Sequence, residues 1–352
     1  MSIQLQVKAP SEREIQWELV AKKIADNFPE LDARSMKVKQ FTAGYSNLTY
    51  LLQFPNKEMV LRRPPFGEIP PKAHNMEREY RILEKIHPYF PQAPAPYLYV
   101  EDDKLMDKHF YVMEKKEGIV LDDHIPAEAT KQGQVGEKAS TAMIKTITQL
   151  HSIDIKQTGL IELGRPDGYL KRQVEGWIRR YERSKVEEHP YVEQLIPWFL
   201  EHLPAESPAP TVVHNDLKLN NMMLHHQDLS DAVAVFDWEL CSVGDPLSDL
   251  ASSVAYWTEQ GDKETGLTSV THHNGFMSRR EFVERYANET NRNVDQFDYY
   301  LSFAFFKIAV ILQQIYYRWK KGEINDDRFS NLNIGISNLI EQSHRAKERQ
   351  II

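Results

Sequence analysis

The chain has 352 residues, more than one hydrophobic core usually holds, so two lobes or domains are expected. It is 41% hydrophobic and 27% charged, as ordinary globular proteins are, and its net charge of −8 argues against the basic faces that general nucleic-acid binding needs. One cysteine, Cys241, excludes an internal disulfide framework and a cysteine-rich zinc site, and the opening MSIQLQVKAPSEREIQ lacks the apolar core of a secretory leader.

In chain order, residues 11–27 bring Ile15, Leu19, Ala21 and Ile24 near helical spacing behind Ser11, an N-cap with Glu14 three residues on. Strand-like runs follow at 37–41 and 48–54, joined by TAGYSN, and a third at 58–63 stops at Pro64-Pro65, which cannot continue a central strand. Residues 73–87 predict a helix stopped by Pro88, and the proline-rich stretch 91–96 leads to a strand at 110–114. Strands, a helix, then more strands is the order of a kinase small lobe, so residues 1–115 are expected to form a nucleotide-binding lobe, with a connector near 114–118.

From Gly118 onward the pattern turns helical, and residues 116–352 are expected to form a catalytic and acceptor-binding lobe. Ala139, Met143, Ile144, Ile147 and Leu150 make a core stripe, and residues 169–185 repeat it with Leu170, Val174, Trp177, Ile178 and Tyr181. Ser278 with Glu281 is a capping-box signature, and residues 298–320 predict a long aromatic helix. The most apolar stretch, 299–312, is interrupted by Lys307 and too short to span a bilayer, so a buried helix and a soluble, cytoplasmic protein without membrane attachment are expected.

Residues 212–239 read VVHNDLKLNNMMLHHQDLSDAVAVFDWE, with His214, Asp216, Lys218 and Asn221 at the spacing H-x-D-x-K-x-x-N. Sixteen residues after Asn221, Asp237 ends the apolar run 233–236. Phosphoryl transfer needs a carboxylate to orient the attacking hydroxyl and two oxygen ligands to hold Mg²⁺ against the β- and γ-phosphates. Asp216 is the expected base, Asn221 and Asp237 the metal ligands, and Lys218 a charge facing the transferred group, while His214 orients the loop. Asp245 in GDPLSDLA either braces that loop or sits as a carboxylate at a helix N-terminus.

In the first lobe the turn TAGYSN supplies Gly44, the hydroxyls of Thr42 and Ser46, and Asn47 for phosphate contact. The strand MVLR occupies the place of V-A-I-K, so Arg62 stands where a phosphate-binding lysine is expected, and Val60 shares its face toward adenine. Glu79 is the expected partner of Arg62, with Glu77 the competitor; Met113 would lie behind the adenine, with backbone groups near Glu114 at its edge.

The segments HNDLKLNN, FDWE and GDPLSDLA together resemble the aminoglycoside phosphotransferase/choline kinase-like superfamily. YLKRQVEGWIRRYERS, FTAGYSNLTY, VLRRPP and HNMEREYRIL are closer to the phosphotransferase-like domain associated with acyl-CoA dehydrogenases. The resemblance covers about residues 35–330 and implies an α+β, two-lobed protein-kinase-like fold, a small antiparallel β lobe with one key helix and a larger, mainly helical lobe. It further implies ATP and Mg²⁺ as cofactors in an interlobe cleft, and γ-phosphate transfer to a small-molecule hydroxyl; Arg62 in place of lysine is usual for that branch. Asn215 and Lys218 depart from the branch's usual H-G-D-F/L-R, although asparagine tolerates the left-handed backbone that glycine supplies.

A protein kinase is disfavoured because Gly244-Asp245-Pro246 follows Asp237 closely and no A-P-E segment stands there. A catalytically inactive nucleotide-binding scaffold would normally have lost the base or a metal ligand, and all three are present. An aminoglycoside phosphotransferase proper wants an acidic pocket for a polycation. Residues 169–185 instead carry Lys171, Arg172, Arg179, Arg180, Arg183 and Lys185 against Glu175 and Glu182, which suits an anionic acceptor unless that face is merely solvated. The expected partner is a small hydroxyl compound, with a homodimer left open.

Overall fold

The computed structural model describes residues 15–41, 47–66, 75–102, 104–324 and 326–352. The chain divides into two compact units, Met1–Glu117 with Ala234–Glu239, and Gly118–Val233 with Leu240–Ile352. Residues 234–239 group with the first unit despite their late position, because the Val235 amide donates to the Gln92 carbonyl at 2.8 Å and the Trp238 ring packs 5.7 Å from Phe90.

The first unit opens with α1 (Trp17–Asn27), so the helix start expected at Ser11 and Glu14 lies outside the described residues. Five antiparallel strands follow in the order β1-β2-β3-β5-β4: β1 (Lys37–Gln40), β2 (Leu48–Phe54), β3 (Lys57–Arg63), β4 (Pro96–Val100) and β5 (Phe110–Glu114). Period-two alternation puts Tyr50, Leu52, Phe54, Met59, Leu61 and Val112 into one core with Val20 and Ile24 of α1. The opposite face carries Val60 beside Met113 and Arg62 beside Tyr111. Onto it folds α2 (Met76–Ile86), capped by the Asn75 side chain, which accepts the Arg78 amide at 2.9 Å. Met76, Glu79, Leu83 and Ile86 form its buried stripe, so a carboxylate occupies a position that helical periodicity reserves for an apolar residue.

Gly118 begins the second unit. A Cβ there would meet the Leu224 carbonyl oxygen at 2.6 Å and Val233 Cγ2 at 2.8 Å, so only glycine lets Ile119 bridge to Leu224. Ten helices run through the chain's described residues, eight of them in this unit: α3 (Ala127–Thr130), α4 (Val135–His151), α5 (Tyr169–Arg183), α6 (Val192–Glu201), α7 (Pro246–Ala255), α8 (Arg279–Thr290), α9 (Phe297–Lys320) and α10 (Leu332–Lys347). The five stripe residues of α4 are completely buried. Short strands β6 (Thr211–Val213) and β9 (Ser242–Gly244) pair with each other, as do β7 (Met222–Leu224) and β8 (Ala232–Val235). By length and composition α9 could cross a membrane, but 78% of its most apolar window is buried, and it packs on α5, α7 and α10.

The capping box at α8 is formed: the Ser278 hydroxyl accepts the Glu281 amide at 3.2 Å while the Glu281 carboxylate accepts the Ser278 amide at 2.7 Å. Ser278→Ala is therefore expected to cost about 1 kcal/mol in denaturant unfolding. An unchanged unfolding midpoint would show that the cap is not contributing.

Candidate active site

The loop between β6 and β7 takes its shape from a carboxylate more than thirty residues away in sequence. Asp249, in the first turn of α7 and fully buried, accepts the His214 amide at 2.8 Å and the Asn215 amide at 2.6 Å. His151, at the end of α4, reaches the same carboxylate with Nε2 at 3.1 Å, and its Nδ1 lies 2.7 Å from the Tyr286 hydroxyl. Burial would raise the Asp249 pKa, but the bond from His151 and the neighbouring charge more than offset it, so the carboxyl is held below its ordinary range. Sequence left open whether Asp245 braces this loop. It does not. Asp245 caps α7 through the Leu247 amide at 2.9 Å and accepts the Tyr300 hydroxyl at 2.8 Å, while Asp249, one helical turn on, does the bracing.

Asn215 adopts φ 68°, the left-handed region, and its side chain is tied at both ends. Its Oδ1 accepts the Tyr169 hydroxyl at 2.8 Å and its Nδ2 donates to the Leu240 carbonyl at 3.0 Å. Glycine could take this φ but could not make those two bonds. The loop leaves the Asp216 side chain 18% exposed, and the Asn221 Nδ2 donates to its carboxylate at 2.8 Å and to its carbonyl at 2.9 Å. The Lys218 ammonium lies 3.1 Å from the same carboxylate oxygen and 4.6 Å over the Tyr256 ring. Tyr256 also hydrogen-bonds to Asp216; burial, then the charge of Asp216, push its phenol well above the ordinary value. His214 is buried, and its Nδ1 accepts the Asp216 amide at 3.3 Å, a loop-shaping bond.

In the first unit, Arg62 extends from β3 between two carboxylates. Its Nε lies 3.3 Å from Glu79 and its Nη2 2.5 Å from Asp237. Burial works against the guanidinium charge, but Glu79, then Tyr111 and Asp237, outweigh it and hold its proton more tightly than usual. Burial pushes the Glu79 carboxyl up, opposed by Arg62. Glu77 is exposed and faces Arg81 at 4.0 Å, so it is not the partner. Asp237 has φ 67°, a conformation that costs a non-glycine residue free energy and is kept where surroundings impose it. Val60 and Met113 are paired across β3 and β5 and buried. The Glu114 amide is spent on the Ala95 carbonyl at 2.8 Å, and its side chain accepts the Ala95 amide at 3.1 Å. Asn47 is buried, whereas Thr42, Gly44 and Ser46 lie outside the described residues.

The basic residues of α5 have separate fates. Arg172 donates to the Asp167 and Arg165 carbonyls, Arg179 lies 3.9 Å from Glu175, and Lys185 lies 2.8 Å from Glu188. Arg180 instead stacks over Trp177 at 4.2 Å. Sequence reasoning missed Tyr169, Tyr256, His151 and the bracing role of Asp249. Asp249 did leave a signal: an acid inside the apolar run PLSDLASSVA has to be buried with partners.

The sequence model of the phosphotransferase enzyme family matches residues 37–289. Acyl-CoA dehydrogenase family member 10 of Mus musculus is 32% identical over 296 residues, covering 82% of this chain and 27% of that protein. Acyl-CoA dehydrogenase family member 11 of Gallus gallus is 31% identical over 301 residues, covering 84% of this chain and 38% of that one. The chain therefore spans between about a quarter and two-fifths of these relatives. Among solved structures, a candidate aminoglycoside phosphotransferase of Ralstonia eutropha superposes with TM-score 0.77 at 26% identity, covering 94% of this chain and 98% of that one. An aminoglycoside phosphotransferase in ternary complex with ADP and hygromycin B shares the fold with TM-score 0.60 at 13% identity, covering 92% of this chain and 98% of that one. By the span of the family match, and with the two-lobed kinase-like α+β fold its structural neighbours have, the chain belongs to the phosphotransferase enzyme family.

Proposed function

We propose that this protein is an ATP- and Mg²⁺-dependent O-phosphotransferase that moves the γ-phosphoryl group of ATP to a hydroxyl of a small molecule. The observation that carries the reading is Asp216: a half-buried carboxylate on a loop clamped by buried Asp249 and held by Asn221, Lys218 and Tyr256. In such a reaction the acceptor oxygen bonds to the γ-phosphorus as the bond to the β-phosphate oxygen breaks, and the hydroxyl proton leaves toward the base. Asp216 accepts that hydroxyl and orients its lone pair. Lys218, beside it, offsets charge on the transferred group. Arg62 presents a planar fork suited to phosphate oxygens, and Glu79 keeps the fork in place.

Mg²⁺, when bound, would offset the charge on the phosphates, with Asn221 and Asp237 as the residues that would hold it. Each donor, taken by itself, has the chemistry a hard cation needs. The Asn221 amide nitrogen is committed to Asp216, which leaves the amide oxygen for a hard cation, and Asp237 supplies a carboxylate. A related fold solved with ADP supports nucleotide binding, and relatives named for acyl-CoA dehydrogenation favour a metabolite as acceptor over an antibiotic.

Asp237→Ala is expected to abolish the strengthening of ATP binding by Mg²⁺ while leaving weaker, metal-independent binding through Arg62. Calorimetry of ATP with and without Mg²⁺ reads this directly. A metal effect of full size in the variant would remove Asp237 from the site.

A further inference from the structure

In α9, Lys307 is the one charged residue between Asp298 and Arg318, a span that is mostly apolar and aromatic apart from Ser302, Gln313 and Gln314. Its ammonium lies 3.4 Å from the carbonyl of Asn215, the residue before Asp216, and 5.9 Å from the centre of the Trp177 ring. Trp177 is only 9% exposed, and Arg180, itself an exposed residue, lies over its ring at 4.2 Å, so two cations gather round one ring beside the proposed base. Among the described residues, neither cation has a carboxylate within 4.0 Å.

We propose that Lys307 and Arg180, grouped about Trp177, form a subsite for an anionic group of the hydroxyl acceptor, a carboxylate or a phosphate. This rests on the phosphotransferase reading above and names the substrate class of that same site.

A half-buried ammonium with only a carbonyl to bond is kept at some cost in folding free energy. The sequence of α9 offers an apolar residue as the cheaper occupant at almost every neighbouring position. Burial works against the Lys307 charge; Asp216 and Asp249 support it and Arg180 opposes it, and the net effect lowers its pKa. Arg180 is exposed at the surface, and its partial burial shifts it the same way. An arriving anion relieves both. The pair would orient an acceptor by its charged end while its hydroxyl meets Asp216, and it would repel the ammonium groups of amino sugars. The anion-seeking face read from sequence thus narrows to Arg180, joined by a lysine from another helix, and does not need Arg179 or Lys185, which have partners on their own segment.

The test is calorimetric titration of the ATP-free protein with inorganic phosphate, glycerate and uncharged glycerol. Wild type is expected to bind at least one anion and not glycerol, and whichever of phosphate or glycerate binds more tightly identifies the head group. Lys307→Met and Arg180→Gln should each weaken that binding at least tenfold. Lys307→Met should also raise the thermal midpoint of the ligand-free protein, because a half-buried charge with no carboxylate partner is removed; a lysine with a structural role would lower it. The proposal is overturned by wild type that binds neither anion, by binding that survives both substitutions, or by a Lys307→Met variant that loses stability. The assay needs no turnover, so Asp216→Asn should keep anion binding. Protein that binds anions through Lys307 yet never transfers phosphate would retain the subsite and discard the phosphotransferase reading.

Discussion

Asp216→Asn is expected to lower phosphoryl-transfer turnover by roughly 10²–10⁴, the scale for loss of a positioned base, with ATP affinity nearly unchanged. The amide matches the carboxylate in shape and keeps one oxygen to accept from Asn221, so the loop should hold its form. What is lost is the negative charge that draws the acceptor hydroxyl into line and balances Lys218, 3.1 Å away. The effect should fall on kcat and spare the ATP dissociation constant. Rapid-mix or steady-state kinetics with calorimetry for ATP separates the two. Turnover within about threefold of wild type would show that another residue orients the acceptor.

The second large effect belongs to Asp249. Asp249→Ala removes the acceptor of the His214 and Asn215 amides and the partner of His151, all in a dry environment. Breaking a buried charged network by deleting one partner typically costs about 3–5 kcal/mol. The damage should reach chemistry as well, since Asn215 holds its left-handed conformation directly before Asp216.

A pH dependence accompanies it. The folded-state pKa of Asp249 is depressed, so its stabilising contribution is fully present above the unfolded carboxyl value, about 3.9. That contribution is lost as pH falls through the lower, folded value. Wild type should lose stability on acidification below about pH 4, and Asp249→Asn should lack that share of the acid limb. Urea unfolding at several pH values measures both. A loss under about 1 kcal/mol for the alanine variant would show that the loop is held by other bonds.

Much of this was legible in the sequence because helical and strand periods report burial directly. The α4 stripe, the β3 alternation that puts Val60 and Arg62 on one face, and the Ser278–Glu281 box all follow from local pattern. The Arg62–Glu79 pair was also within reach, since Glu79 falls on the buried stripe of α2 and Glu77 does not. Long-range polar bonds were harder. Nothing local says that His151 on α4, Tyr169 on α5 and Asp249 on α7 converge on residues 214–215. Lys307 was read as an interruption of an apolar helix. Its meaning depends on Trp177 and Asn215 lying next to it, which is set by how α9 packs on α5 and by the loop. Asp245 and Asp249 are both acids at one helix start, and only the bonds they make distinguish cap from clamp.

The most direct measurement is transfer of label from [γ-³²P]ATP to a panel of hydroxylated carboxylates, phosphate esters and amino sugars, run with and without Mg²⁺, for wild type and Asp216→Asn. The expected result is Mg²⁺-dependent labelling of at least one hydroxyl compound, drawn from the anionic members of the panel, and its near loss in the variant. ATP that binds with Mg²⁺ while no hydroxyl compound becomes labelled, or labelling that persists undiminished in Asp216→Asn, would contradict it.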